Sequence, residues 1–185
     1  MANRPPAPST PLSARRLALK WGVLLALAIA AWTLVVHLLG IYTTRIQYAS
    51  GVDIAALIVP IVVLSYALKE FARDEPRPLQ LRPAILFGIG VAAVSAPLTV
   101  AALWYYHHYV NPDWLTYLAH FEGQKLAAAG GTPEQVGARI AAVRLSGSDR
   151  NQIIGGLIGT LLMGAVVSTL IANVIRYRDR RAAAK

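Results

Sequence analysis

The chain has 185 residues, of which 56% are hydrophobic and 15% are charged, and its mean hydropathy is +0.48. These values exclude an ordinary soluble domain and predict an integral membrane protein, while the absence of Cys excludes disulfides and thiol chemistry. The net charge of +9 would suit nucleic acid, but the Lys and Arg residues lie between apolar runs without a nucleic-acid motif, so no nucleic acid is expected as a partner.

The N-terminal residues 1–16 are rich in proline and poor in large apolar side chains, which predicts a flexible cytoplasmic tail. The apolar run over residues 21–41 follows. At about 1.5 Å per residue it can cross the hydrocarbon core of a bilayer, which is roughly 30 Å thick. A cleaved signal peptide is the alternative, since Ala28, Ile29 and Ala30 resemble a cleavage box. Because the run continues well past that box, we favour a first transmembrane helix.

Three further apolar runs predict transmembrane helices over residues 51–68, 84–106 and 152–175. The fold class is therefore all-α, an integral membrane bundle of four transmembrane helices over residues 17–178. The second and third spans each contain a proline, Pro60 and Pro97. Since proline cannot donate a backbone hydrogen bond inside a helix, we expect a kink at both positions.

The distribution of Lys and Arg predicts the orientation, because positively charged segments are retained in the cytoplasm. Thirteen of the 18 lie in the N-terminal tail, in the loop between spans two and three, and in residues 176–185, and five lie in the other two connections. We therefore expect both termini in the cytoplasm and a basic cytoplasmic tail over residues 179–185. The expected location is the inner membrane of a bacterium.

The long exterior connection, residues 111–146, is predicted to contain two short amphipathic helices. Asn111 and Pro112 have the residue types of a helix start, with Asn as the cap and Pro at the first helical position. The glycines at 130–131 should end this helix, and Thr-Pro-Glu-Gln at 132–135 predicts a capping box for the next one. The two helices would lie on the membrane surface or fold back over the bundle.

A family pattern is carried by four stretches in order: Tyr-Tyr-His-His-Tyr-Val-Asn-Pro-Asp at 105–113, Gly-Thr-Pro-Glu-Gln-Val at 131–136, and the glycine-containing residues 155–159 and 164–171. This order resembles a bacterial membrane-protein family known only as domain of unknown function 4199. The resemblance covers nearly everything after residue 17. The start of span three departs from the pattern, since residues 81–83 read Leu-Arg-Pro. The resemblance implies no known activity, substrate or catalytic residue.

Three histidines and two carboxylates are the best candidates for a metal or acid–base site, because imidazoles and carboxylates at one surface can share an ion: His107, His108, His120, Asp113 and Glu122. Their spacing is poor for this purpose. Adjacent histidines on a helix point about 100° apart, and the His-Glu-x-x-His pattern is missing. The alternative, which we favour, is that these side chains present polar tips to water at the membrane interface. We therefore expect neither a metal ion nor a cofactor.

Two ionisable residues, His37 and Asp53, lie about one helical turn inside the exterior ends of spans one and two. Ionisable groups in a membrane suggest a proton or ion pathway, because burying charge in lipid costs several kcal/mol. At this depth, however, both side chains can reach the headgroups. We favour a structural pairing of Asp53 with Arg45 or His37 across the short loop.

The last span contains a ridge of small residues at four-residue steps, which predicts close helix packing. Packing within the chain is the commoner outcome, and two glycines of span three would be the internal partner. Packing against a second copy of the chain is the alternative. The residues concerned are Gly155, Gly156, Gly159, Thr160 and Gly164 in span four, and Gly88 and Gly90 in span three.

These observations favour a non-enzymatic membrane protein that acts as a scaffold or an accessory subunit. Its expected partners are the lipid bilayer and either a second copy of the chain or another membrane protein. A small oligomeric transporter or channel is the first alternative, because of the prolines in the spans and the two ionisable residues. An enzyme or metal site at the exterior face is the second.

Overall fold

The computed structural model describes residues 11–73 and 79–183, and every regular element in these residues is helical. A short 3₁₀ turn lies at Ile46–Tyr48 and a π-helical turn at Tyr106–Val110. The α-helices are α1 (Pro11–Leu38), α2 (Ala49–Ala56), α3 (Ile58–Phe71), α4 (Leu81–Tyr105), α5 (Trp114–Ala128), α6 (Pro133–Ser146) and α7 (Asp149–Ala183).

Four helical segments are long and apolar enough to span a membrane, which confirms the all-α prediction and the number of membrane-capable helices. Each extends past its predicted bounds at one end or both, because apolar composition ends where charge begins whereas the helical hydrogen bonds continue, but the first segment ends at Leu38, before the predicted end at residue 41. The segments are Ser13–Leu38, Gly51–Phe71, Leu81–Val110 and Asp149–Ala182.

The N-terminal boundary differs from the prediction. Residues 1–10 lie outside the described residues, but α1 begins at Pro11, so residues 11–16 are helical rather than part of an irregular tail. Pro is well suited to the first turn of a helix, where its missing N–H has no partner. Ala14 and Leu17 then pack against the core. At the other end of the chain, α7 stays helical to Ala183, within the segment predicted as a basic tail.

Helix α4 is the central element and packs against α1 and α7. The rings of Phe71 in α3 and Phe87 in α4 stack with their centroids 4.4 Å apart, and Leu25, Leu64 and Val91 are almost completely buried beside them. Lipid is as apolar as this core, so burial itself gives little driving force in a bilayer. Close packing between the helices therefore stabilises the bundle.

The second span consists of α2 and α3, which meet at Leu57, a one-residue turn whose backbone keeps helical dihedral angles (φ −63°, ψ −20°). Pro60, which is buried, lacks the N–H that would bond to the carbonyl of Ala56, so this turn lies where the proline removes a bond. Helix α4, in contrast, continues through Pro97, whose ring is exposed.

At one end of the bundle, which we call the Lys20 end, the carboxylate of Glu70 connects α1 to α3. The ammonium of Lys20 in α1 lies 2.8 and 2.9 Å from the two oxygens of Glu70 in α3. The indole N–H of Trp21 also donates to Glu70, at 2.8 Å. We call the opposite end, where α1 and α4 terminate, the aromatic end.

Candidate functional site

Tyr106, which is only 5% exposed, is the centre of a polar network at the aromatic end. Its hydroxyl lies 3.0 Å from Nδ1 of His37 in α1 and accepts a hydrogen bond of 3.2 Å from Nδ2 of Asn111. The same amide nitrogen lies 3.4 Å from the backbone carbonyl of Tyr42. These bonds connect the end of α1, the loop after it and the end of α4.

Tyr106 begins the π-helical turn that follows α4. The backbone N–H of Asn111 donates to the carbonyl of Tyr106 at 2.9 Å, a bond across five residues instead of four. Such wider turns occur mostly as single insertions in α-helices, often at functional sites. Here the turn places Tyr106 toward the interior, whereas Tyr105 and Tyr109 are exposed.

Asp53 accepts a hydrogen bond of 2.6 Å from the hydroxyl of Tyr42. The predicted pairing of Asp53 with Arg45 or His37 is therefore wrong, because the phenol takes the carboxylate and His37 turns toward Tyr106. Burial raises the pKa of Tyr42 far above its usual range, and the neighbouring carboxylate raises it further. The Tyr42 hydroxyl therefore stays protonated and donates its hydrogen bond to Asp53.

The two adjacent histidines have separate surroundings. His107 stacks on Trp114 with ring centroids 4.2 Å apart, and His108 stacks on Trp104 at 4.3 Å. Nε2 of His108 also lies 3.4 Å from a carboxylate oxygen of Asp149.

Asp113 and His120, two further members of the predicted cluster, are exposed, and Glu122 pairs with Arg139. Asp113 precedes α5, and His120 and Glu122 lie within it. In residues 11–73 and 79–183 no group of three or more His, Asp or Glu is arranged to hold a metal ion. The structure therefore does not assemble the sequence candidates into one metal site.

A cavity of about 250 Å³ lies beside the polar network, and we call it the aromatic cavity. Its polar and aromatic lining consists of Tyr42, Asp53, Tyr106, His107 and Trp114. The remaining lining is apolar apart from one threonine, and it includes Leu118 of α5. Helix α5 thus forms one wall of a cavity whose other walls belong to the helices of the bundle and to the loop after α1.

Helices α5 and α6 form a helical hairpin next to the aromatic end. The predicted capping box is present: the Thr132 hydroxyl accepts from the Gln135 backbone, and the Gln135 side chain accepts from the Thr132 backbone. The two helices approach closely where Gly123 faces Ile140, and Arg139 pairs with Glu122. Asn111, in contrast, is not a helix cap, because α5 begins only at Trp114 and the Asn111 amide is engaged with Tyr106.

The small-residue ridge has its closest contact at Gly164 and Gly88. A Cβ built on Gly164 would lie 2.5 Å from the Cβ of Ala92 and 3.0 Å from the backbone oxygen of Gly88. A Cβ on Gly88 would overlap the buried hydroxyl of Ser168. The backbones of α4 and α7 therefore touch here, as the glycine pattern predicts.

The other ridge residues face different directions. Gly156 points toward Val100 of α4, with a built Cβ 2.9 Å from its Cγ2, and Thr160 lines a small cavity on the same side. Gly90 faces Ala18 of α1 at 3.7 Å, so its assignment as a partner of the last span is wrong.

Gly155 and Gly159 are exposed, and no described atom outside their own helical turn lies within 4 Å of a built Cβ. The expectation that they pack within the chain is therefore wrong. Residues that are four apart share one helix face, and this face differs from the one that contacts α4. Gly159 borders a groove of about 250 Å³ next to Leu57 and Pro60.

Sequence reasoning missed Tyr42, Tyr106 and Trp114 as parts of the site. The composition carried one usable signal, since aromatic residues are concentrated around the two histidines. The contacts themselves join residues 69 positions apart, as between His37 and Tyr106, which no local pattern reveals.

The fold and the site define a helical protein with four membrane-capable spans and a helical hairpin between the last two. A family model described as a protein of unknown function (DUF4199) matches residues 20–177, and the chain belongs to that family. Comparisons with curated proteins and with solved structures gave no match.

Proposed function

We propose that this protein is a non-enzymatic membrane protein that acts as a scaffold or accessory subunit through the exposed small-residue face of α7. The observation that carries the proposal is the open space around Gly155 and Gly159. Leu162 and Val166 lie on the same face and are 61% and 57% exposed. Two glycines four residues apart let another transmembrane helix approach the backbone closely.

The aromatic end supports the same proposal. Its side chains are engaged with each other: His37 with Tyr106, Asp53 with Tyr42, and His107 with Trp114. Such a network fixes the ends of three spans relative to each other. The face of α7 would then be presented to a partner by a preorganised bundle, which reduces the entropy lost on association.

Photocrosslinking tests this function, because the absence of native Cys allows a single cysteine to be labelled. Benzophenone maleimide on Val166→Cys should give a crosslinked product with a second copy or another membrane protein in native membranes. The control is Leu161→Cys, which is 36% exposed and lies about 140° around the helix. Replacing both Gly155 and Gly159 by Leu should abolish the Val166 product. Equal products at both positions, or a product that survives the Leu substitutions, would contradict the proposal.

A small transporter or channel is the second candidate, because a groove of about 250 Å³ lies between the helices beside Leu57 and Pro60 of the second span. The lining of this groove is mainly apolar.

We further propose that the protein lies in a bacterial inner membrane with both termini in the cytoplasm, supported by thirteen Lys and Arg on that side against five on the other. In intact cells a membrane-impermeant maleimide should label Ala129→Cys in the exterior hairpin, but label Arg180→Cys only after lysis. Both positions are exposed, and Ala129 avoids Gly130, whose φ of 86° disfavours other residues. The reverse labelling pattern would invert the orientation.

A further inference from the structure

The aromatic cavity holds one carboxylate, that of Asp53, and its lining contains no Lys or Arg. Oδ1 of Asp53 accepts a hydrogen bond of 2.6 Å from the Tyr42 hydroxyl, and no group in residues 11–73 and 79–183 hydrogen-bonds to Oδ2. The side chain is exposed rather than sealed in the core, so a ligand can reach it.

The remaining polar lining is aromatic. Trp114 and His107 stack on each other at 4.2 Å, and Tyr42 and Tyr106 contribute two further rings to the same cavity. Aromatic faces attract cations through the quadrupole of the ring, and aromatic cages recognise quaternary ammonium groups in this way. The carboxylate of Asp53 adds direct charge attraction.

The geometry points to a binding site for a small organic cation, an amine or quaternary ammonium group, in the aromatic cavity. The volume of about 250 Å³ is below the usual 300–1,000 Å³ of drug-sized pockets, which restricts the ligand to a compact group. The ammonium group has two sources, a free cation or the headgroup of a zwitterionic lipid. This site is separate from the exposed face of α7.

Choline and its neutral carbon isostere, 3,3-dimethyl-1-butanol, form a matched pair of probes. They would be titrated calorimetrically into the full chain in nanodiscs that contain only phosphatidylglycerol, whose headgroup carries no ammonium group. Choline should bind and the isostere should bind about tenfold or more weakly, because the two differ mainly in charge. Absence of choline binding, or equal binding of the two, would overturn the proposal.

Asp53→Asn is the decisive variant, since the amide oxygen can still accept from Tyr42 while the charge is removed. It should weaken choline binding about tenfold or more and leave the thermal unfolding midpoint near that of the wild type. Asp113→Asn is the matched control, because that carboxylate is exposed and outside the cavity lining. Unchanged binding in Asp53→Asn, or equal losses in both variants, would refute the site.

Nanodiscs with phosphatidylethanolamine distinguish the two sources of the ammonium group. If the lipid headgroup occupies the cavity, the added lipid should lower the apparent affinity for choline, and Asp53→Asn should remove this competition. If the site takes a free cation, the affinity should stay the same. Either result supports an ammonium site and assigns its source, whereas competition that persists in Asp53→Asn would place the lipid elsewhere and count against it.

Discussion

Replacing Gly164 by Ala should lower the free energy of unfolding by about 1–3 kcal/mol, the usual cost of overpacking a close contact. The added Cβ would lie 2.5 Å from the Cβ of Ala92 and 3.0 Å from the carbonyl oxygen of Gly88. Backbone atoms cannot turn away as the end of a flexible side chain does. Helices α4 and α7 would have to separate, and their packing along the bundle would weaken.

Gly159→Ala is the matched control on the same helix. Its Cβ meets no described atom within 4 Å, so the free energy of unfolding of the isolated chain should stay the same or rise by a few tenths of a kcal/mol, up to about 1 kcal/mol, because Ala favours helix over Gly. Both variants can be compared by denaturant titration in mild detergent, monitored by circular dichroism. Similar losses at the two glycines would mean that the packed and the exposed face of α7 have been assigned incorrectly.

A second pair of variants tests the same contact through Ser168. Gly88→Ala should destabilise the bundle because its Cβ overlaps the Ser168 hydroxyl, which is buried. On a Ser168→Gly background, the same change should cost much less, since the overlapping atoms are gone. The coupling energy of this double-mutant cycle should reach about 1 kcal/mol or more. If the losses in the free energy of unfolding are additive, Gly88 and Ser168 do not contact each other as described.

The glycine spacing in α7 could be predicted to mark packing, but the face that packs within the chain could not. Residues at four-residue steps form two adjacent ridges, one through Gly155 and Gly159 and one through Gly156, Thr160 and Gly164. Both have the same small-residue character. The choice depends on which side of α7 meets α4, and this is decided by distant residues such as Ala92.

The number of spans could be predicted because length and apolar composition alone decide whether a helix can cross a bilayer. The capping box at Thr132 and Gln135 could also be predicted, since both partners lie within one turn. Asn111 shows the limit of this reasoning. It has the residue type of a helix cap, yet the Tyr106 hydroxyl and the Tyr42 carbonyl take its amide. Tertiary contacts at the aromatic end therefore override the local preference.

Replacing Tyr106 by Ala should cost about 3–5 kcal/mol, the usual loss when a large buried aromatic side chain is truncated. The ring is 5% exposed, and its edge-to-face contact with His37, at 5.5 Å between centroids, would also be lost. Tyr105→Ala provides the control one residue away, because that ring is 59% exposed. It should change the free energy of unfolding by about 0.5 kcal/mol or less, as is usual for surface positions.

Tyr106→Phe separates the hydroxyl from the ring. The ring still fills its site, but Nδ1 of His37 and one hydrogen bond of the Asn111 amide lose their partner. A buried polar group without a partner costs about 1–3 kcal/mol, so the Phe variant should be clearly less stable than the wild type and more stable than the Ala variant. Replacing His37 by Leu in the Phe variant should then cost less than it does in the wild type, because its partner is already gone. If the Phe variant unfolds at the wild-type denaturant concentration, the Tyr106 hydroxyl does not stabilise the contact between α1 and α4. The packing of the ring alone would then stabilise the aromatic end.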